Sequence, residues 1–144
     1  MKPLTIAAWN IQGLHSSSFG PKTKTLEFYK NRSNIEIIIL QETWRRNNEV
    51  TLCPIGYKEI SLSSKKHKGT NRGRDSGVVI IWYKHAISQF VTLAQKEDLR
   101  LWLKINKELT QTTNDIFLCA GYIPPPEYPY CNMNIFDILQ LQIN

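Results

Sequence analysis

The stretch Ile35–Gln41 reads IEIIILQ, and it is the clearest strand in the sequence. Its β-branched residues run almost without interruption, whereas a strand with one solvated face alternates apolar and polar positions. We therefore predict a central strand that is buried on both faces. Glu42 and Thr43 follow it directly, so polar groups stand where this strand ends.

Apolar segments on either side of this strand predict the rest of a mixed fold. We expect Ile87–Leu93 to form a hairpin with the strand Gly77–Lys84. An amphipathic helix is predicted over Lys22–Asn31, after a loop containing Ser, Gly and Pro, and a weaker helix over Asn134–Ile143. The other predicted strands are Leu4–Trp9, Gly56–Leu62, Leu101–Ile105 and Asp115–Tyr122. With no repeat or linker, residues 1–144 form one domain of the α/β class, in the looser sense α+β.

The composition is that of an ordinary globular protein with a surplus of positive charge. Hydrophobic residues make up 42% of the 144 residues, and the formal net charge is +6. This charge suits a phosphate-rich partner such as nucleic acid. The three cysteines, Cys53, Cys119 and Cys131, lack zinc-site spacing, and we expect reduced thiols. With no membrane-length apolar run and no signal peptide, the sequence predicts an intracellular protein without a membrane partner.

Three predicted strands end in polar residues that are candidates for ligand binding or catalysis. Asn10 follows the first strand, Glu42 follows the central one and Tyr122 ends the last. Ligand sites of α/β proteins lie at such strand ends. Taken singly, each residue has a commoner explanation: a turn asparagine, a solvated acid and a packing aromatic. Their order and their sequence surroundings carry more weight than any one of them.

Those surroundings are specific. Residues 9–14 read WNIQGL, residues 38–44 read IILQETW, and residues 118–125 read LCAGYIPP. In this order they resemble the endonuclease/exonuclease/phosphatase superfamily, and within it the endonuclease domain of LINE-type, non-LTR retrotransposons. The resemblance covers nearly the whole chain, from Leu4 to the C-terminal segment. It implies a two-sheet α/β sandwich of the deoxyribonuclease I type, and an enzyme that nicks DNA.

The resemblance also implies roles for the three residues. Glu42 matches the glutamate that holds a divalent ion, Mg²⁺ (or Mn²⁺), against the scissile phosphate. Asn10 matches the asparagine that helps to position this metal, and Tyr122 matches the tyrosine whose hydroxyl contacts the phosphate. A single carboxylate is compatible with Mg²⁺, because this ion keeps several waters and takes substrate phosphate as a ligand.

Two further motifs of the superfamily do not occur in the 144 residues. They are an Asp-x-Asn strand, which polarises the attacking water and contacts the phosphate, and a Ser-Asp-His ending. The His of this ending acts with its Asp as general base or phosphate contact. The histidines here, His15, His67 and His85, do not stand in the family's His position. We therefore expect the chain to be the N-terminal portion of the domain and to be inactive alone.

A cluster of basic residues is the second candidate site. Its members lie in a polar segment between two predicted strands, and they are Lys65, Lys66, Lys68, Arg72 and Arg74. A solvated loop explains them as well as phosphate contacts with DNA do.

Other functions stay open at the level of the sequence. The chain is alternatively a non-catalytic nucleic-acid-binding module or an inert remnant, and RNA or a lipid phosphate is an alternative substrate to DNA. An incomplete second sheet predicts an uncovered apolar face through which chains self-associate. If the protein acts on genomic DNA, we expect a nuclear location.

Overall fold

Four strands form the first of two sheets. The computed structural model describes residues 2–13, 16–43, 53–62, 79–97 and 100–121. In these ranges the first sheet comprises β1 (Ile6–Asn10), β2 (Ile37–Gln41), β3 (Tyr57–Ser61) and β4 (Ile80–Lys84), in the order β1-β2-β4-β3. β1 runs parallel to β2, and the other pairs are antiparallel. Each of the four lies within a predicted strand or extends it by one residue.

Three strands form the second sheet. They are β5 (Val91–Lys96), β6 (Arg100–Ile105) and β7 (Ile116–Gly121), paired antiparallel in chain order. A single helical turn, α2 (Lys107–Thr110), connects β6 to β7. The two sheets and their few helices make a partial α+β sandwich, so the predicted fold class is confirmed.

Several predictions fall outside the described residues. They concern the helix over Asn134–Ile143 and the candidate site residues Tyr122, Lys65, Lys66, Lys68, Arg72 and Arg74. Within the described ranges, no helix has the length and hydrophobicity needed to cross a membrane.

The first helix is longer than predicted. α1 spans Ser16–Ser33 and includes Gly20 and Pro21, which the sequence pattern favoured as a loop. The predicted part of the helix is held by tertiary contacts: Leu26 packs on the first sheet, and Lys22 binds the backbone that follows β1. Helical stability in proteins comes mostly from such packing rather than from intrinsic propensity.

The predicted hairpin with β4 is wrong. His85–Phe90 form a 3₁₀ helix, and the chain then enters β5, which pairs with β6 in the second sheet. Ile87, one of the residues assigned to the hairpin, is buried between the sheets. The short helix therefore connects the two sheets, and its apolar residue packs in the core. A hairpin strand and a buried connection have similar compositions, so the sequence did not distinguish them.

Successive residues of β2 supply two separate cores. Ile37 and Ile39 pack with the inner residues of β6 between the two sheets. Ile38 and Leu40 lie on the other face, where Leu26 of α1 covers them. These four side chains of β2 are at most 6% exposed, so the prediction of a strand buried on both faces is confirmed.

The inner faces of two edge strands are only partly covered. Among the described strands, β1 pairs only with β2, and β7 only with β6. Their register places Ile6 and Ala8 on the same face as Ile37 and Ile39, which is the face between the sheets. Ile6 is nevertheless 41% exposed, and Ile116 on the inner face of β7 is 38% exposed. We call β1 and β7 together the open edge.

Candidate functional site

Three strands end at the same place in the sandwich. The parallel register pairs Asn10, the last residue of β1, with Gln41, the last residue of β2. From there the Gln41 side chain reaches the second sheet, where its Nε2 donates a hydrogen bond of 2.5 Å to the carbonyl of Gly121 at the end of β7. Tyr122 is the next residue in the sequence but lies outside the described residues. We call Asn10, Glu42 and the Gly121 backbone the strand-end site.

Glu42 occupies an unusual backbone conformation at this site. Its φ is 51°, in the left-handed region, which costs a non-glycine residue about 1–2 kcal/mol. Its carbonyl accepts a hydrogen bond of 2.7 Å from the amide of Gly13, and the next side chain, Thr43, is fully buried. The half-buried Glu42 carboxylate has no hydrogen-bond or ion-pair partner among the described residues. Within the described part of the chain, a fixed backbone therefore presents a carboxylate without a polar partner.

Asn10 combines its common role as a turn residue with a free acceptor position. Its Oδ1 accepts a hydrogen bond of 3.3 Å from the amide of Gln12, as a turn asparagine does. The residue is exposed, and an amide oxygen has two lone pairs, so one remains for another ligand. Asn10 and Glu42 thus present two oxygen donors on neighbouring strand ends.

Lys22 lies beside the strand-end site and was not predicted from the sequence. Its Nζ donates to the carbonyls of Ile11, Gln12 and Gly13, at 2.7, 3.0 and 2.6 Å. These three residues, which we call the carbonyl loop, directly follow Asn10. No motif marks Lys22, because it is one lysine in a basic helix and its role depends on a loop nine to eleven residues earlier in the chain.

The described residues around the site fit a hard divalent cation. Carboxylate and amide oxygens are the donors that Mg²⁺ prefers. Within the ranges that the structure describes, no three His, Cys, Asp or Glu side chains cluster as a metal cage. Mg²⁺ does not need such a cage, since one or two carboxylates with water and substrate phosphate suffice.

The other titratable groups that the sequence raised lie elsewhere. His85 follows β4, which runs antiparallel to β2, so it is at the opposite end of the sheet from Glu42. Cys119 is half-buried on the outer face of β7, across from Trp102, rather than in the core between the sheets. Burial raises the pKa of the Cys119 thiol and so disfavours its thiolate form.

A comparison with protein families identifies a family that matches most of the chain. The model described as Endonuclease/Exonuclease/phosphatase family matches residues 7–144. The chain belongs to the endonuclease/exonuclease/phosphatase family. That match confirms the superfamily resemblance and indicates a nuclease- or phosphatase-type domain. Members of the endonuclease/exonuclease/phosphatase family generally use divalent metals, in agreement with the oxygen donors at the strand-end site. No curated protein matches the chain significantly.

Proposed function

We propose that this chain contributes the metal-binding strand ends of a Mg²⁺-dependent phosphodiester hydrolase domain, of the LINE-type retrotransposon kind, that acts on DNA. The observation that carries the proposal is the meeting of Asn10, Glu42 and the end of β7 in a chain of this family. Because the carboxylate of Glu42 has no described partner, it is available to a cation. An action on genomic DNA would take place in the nucleus.

The proposed chemistry assigns one task to each residue. The Glu42 carboxylate would hold Mg²⁺ (or Mn²⁺), and Asn10 Oδ1 on the neighbouring strand would help to position this ion. When bound, the ion neutralises the charge that develops on the phosphate. The Tyr122 hydroxyl donates a hydrogen bond to a phosphate oxygen. The basic cluster, Lys65, Lys66, Lys68, Arg72 and Arg74, contacts the DNA backbone independently of base sequence.

A non-catalytic nucleic-acid-binding module is the second candidate. A net charge of +6 favours it. So does the position of the only described His and Asp residues, His85 and Asp115, which both lie at the ends of their sheets away from Glu42. In this function the basic cluster binds phosphate and the strand-end site has no part in binding.

A metal-dependent DNA-binding experiment separates the two functions. Fluorescence anisotropy of a labelled DNA duplex is measured for wild type, Glu42→Gln and Glu108→Gln, in Mg²⁺ and in EDTA at equal ionic strength. Glu108 is an exposed glutamate at the start of α2, at the end of the second sheet opposite Gly121, so its variant is a matched control.

The proposal predicts that Mg²⁺ tightens DNA binding by wild type and by Glu108→Gln, but not by Glu42→Gln. Equal binding by all three proteins with and without Mg²⁺ would favour the binding module instead. Absence of DNA binding by all three would contradict both functions.

A further inference from the structure

One ammonium group of α1 holds three successive backbone carbonyls beside the strand-end site. Lys22 Nζ donates to Ile11, Gln12 and Gly13 at 2.6–3.0 Å. A lysine ammonium has three donors and no acceptor, so these bonds use its whole capacity. Bonds from a charged donor are shorter and stronger than neutral ones. Lys22 therefore has no donor left for a phosphate, and its role concerns the backbone.

The amides of the same three residues bind the two strand ends. Ile11 N–H donates to the carbonyl of Gln41 at 3.0 Å, and Gly13 N–H donates to the carbonyl of Glu42 at 2.7 Å. Gln12 N–H donates to Asn10 Oδ1 at 3.3 Å. Each residue of the carbonyl loop thus bonds Lys22 through its oxygen and the strand ends through its nitrogen. The loop connects the helix to the two oxygen ligands of the proposed metal site.

We propose that Lys22 is a positioning residue, which fixes the carbonyl loop and through it Asn10 Oδ1 and the left-handed backbone of Glu42. The inference rests on the proposed metal site and extends it to a residue of α1. Glu42 needs such support, because a non-glycine residue with positive φ persists only when its surroundings hold it there. Loss of a group that orients metal ligands typically weakens metal affinity by about 10–100-fold.

The test compares two lysines of the same helix. Lys22→Met removes the ammonium and keeps a similar stem, whereas Lys24→Met makes the same change at an exposed lysine with no polar partner among the described residues. Electron paramagnetic resonance of free Mn²⁺ gives the affinity of each protein for the metal alone. We expect the dissociation constant to rise about 10-fold or more for Lys22→Met and to stay near the wild-type value for Lys24→Met.

A third variant separates the geometry of Lys22 from its charge. Lys22→Arg keeps the charge, but its planar guanidinium cannot direct three donors from one nitrogen. We expect it to fold and to bind Mn²⁺ more weakly than wild type. Wild-type affinity in Lys22→Arg or in Lys22→Met would overturn the inference.

Amide hydrogen exchange of Gly13 tests Lys22 independently of any metal. Faster exchange in Lys22→Met and Lys22→Arg, with exchange unchanged at Leu103 in the second sheet, is expected if Lys22 positions the loop. Unchanged Gly13 exchange would overturn the inference. If wild type binds no Mn²⁺, the proposed function fails, while the exchange measurement still decides whether Lys22 holds the loop.

Discussion

At the scale of the residue, the strand-end site depends on backbone conformations that a sequence does not display. Glu42 follows a strand and was a candidate for that reason, yet nothing in QET indicates its φ of 51°. Asn10 was identified by its place after the first strand, and the hydrogen bond from Gln12 explains why an asparagine suits the turn. Lys22 was not predicted, because its three acceptors are backbone carbonyls, and every residue type has such a carbonyl.

The left-handed conformation of Glu42 predicts that two substitutions, which both remove the carboxylate, differ in their free energy of unfolding. Glu42→Gly relieves the steric cost of positive φ, whereas Glu42→Gln retains it. We expect Glu42→Gly to have a free energy of unfolding about 1 kcal/mol higher than Glu42→Gln. Urea denaturation of both proteins measures the difference. A less stable glycine variant would show that the backbone is not strained at this position.

At the scale of the element, periodicity and apolar runs predicted most of the strands, whereas features that depend on tertiary contacts were not predicted. β2 was predictable because Ile37–Leu40 leave no solvated face. The start of α1 was not, because Gly20 and Pro21 favour a turn and yet lie within the helix. The 3₁₀ helix His85–Phe90 was not, since Ile87 packs in the core between the sheets. Strand positions followed from local pattern, whereas strand pairing required the three-dimensional structure.

The connection between β6 and β7 predicts a specific dependence of stability on pH. Asp115 accepts a hydrogen bond of 2.9 Å from the Lys107 amide and lies 3.0 Å from Lys104 Nζ. The Lys107 amide, with Lys104 second, lowers the pKa of the Asp115 carboxyl below its ordinary value. Its contribution to stability is thus present above the unfolded pKa of about 4 and is lost as the pH falls through the lower folded pKa.

We therefore expect Asp115→Asn to be less stable than wild type at neutral pH and to lose less stability on acidification below about pH 4. Urea denaturation of both proteins between neutral and acidic pH tests this. Parallel pH profiles for the two proteins would contradict the assigned interaction.

The open edge predicts self-association between copies of the chain. Ile6, on the inner face of β1, is 41% exposed, and an edge strand offers unpaired backbone groups to another strand. We expect the average mass from light scattering to rise above the monomer with concentration. Ile6→Lys places an inward-pointing charge on this edge and should stay monomeric.

Ile55→Lys is the matched control for this experiment, because Ile55 is 97% exposed in the turn before β3, away from the open edge. It should associate as wild type does. A wild-type chain that is monomeric at every concentration, or equal association of Ile6→Lys, would rule out the open edge as the contact surface.

At the scale of the whole molecule, the family match and the fold agree on a nuclease- or phosphatase-type domain, while the proposed hydrolysis of DNA requires more than the strand-end site. Hydrolysis of a phosphodiester needs a metal, an oriented water and a general acid or base. The described His and Asp residues, His85 and Asp115, lie at the far ends of their sheets. Neither Asp-x-Asn nor Ser-Asp-His occurs among the 144 residues.

We therefore predict that the 144-residue chain does not nick supercoiled plasmid DNA in Mg²⁺ above the rate without protein. Members of a catalytic unit act together, so a metal site without a water-orienting group gives little rate enhancement. Agarose electrophoresis of plasmid incubated with wild type and with Glu42→Gln measures it. Nicking by wild type that Glu42→Gln abolishes would show that the strand-end site is sufficient.

A metal site at the strand ends is tested by locating a bound ion through paramagnetic broadening of the backbone amide signals with substoichiometric Mn²⁺. We expect selective broadening at Gln12, Gly13, Glu42 and Gly121. Signals at Glu108 and Gln111, at the other end of the second sheet, should stay sharp, and Glu42→Gln should abolish the selective effect. Broadening centred elsewhere, or broadening that persists in Glu42→Gln, would contradict a metal site at the strand ends.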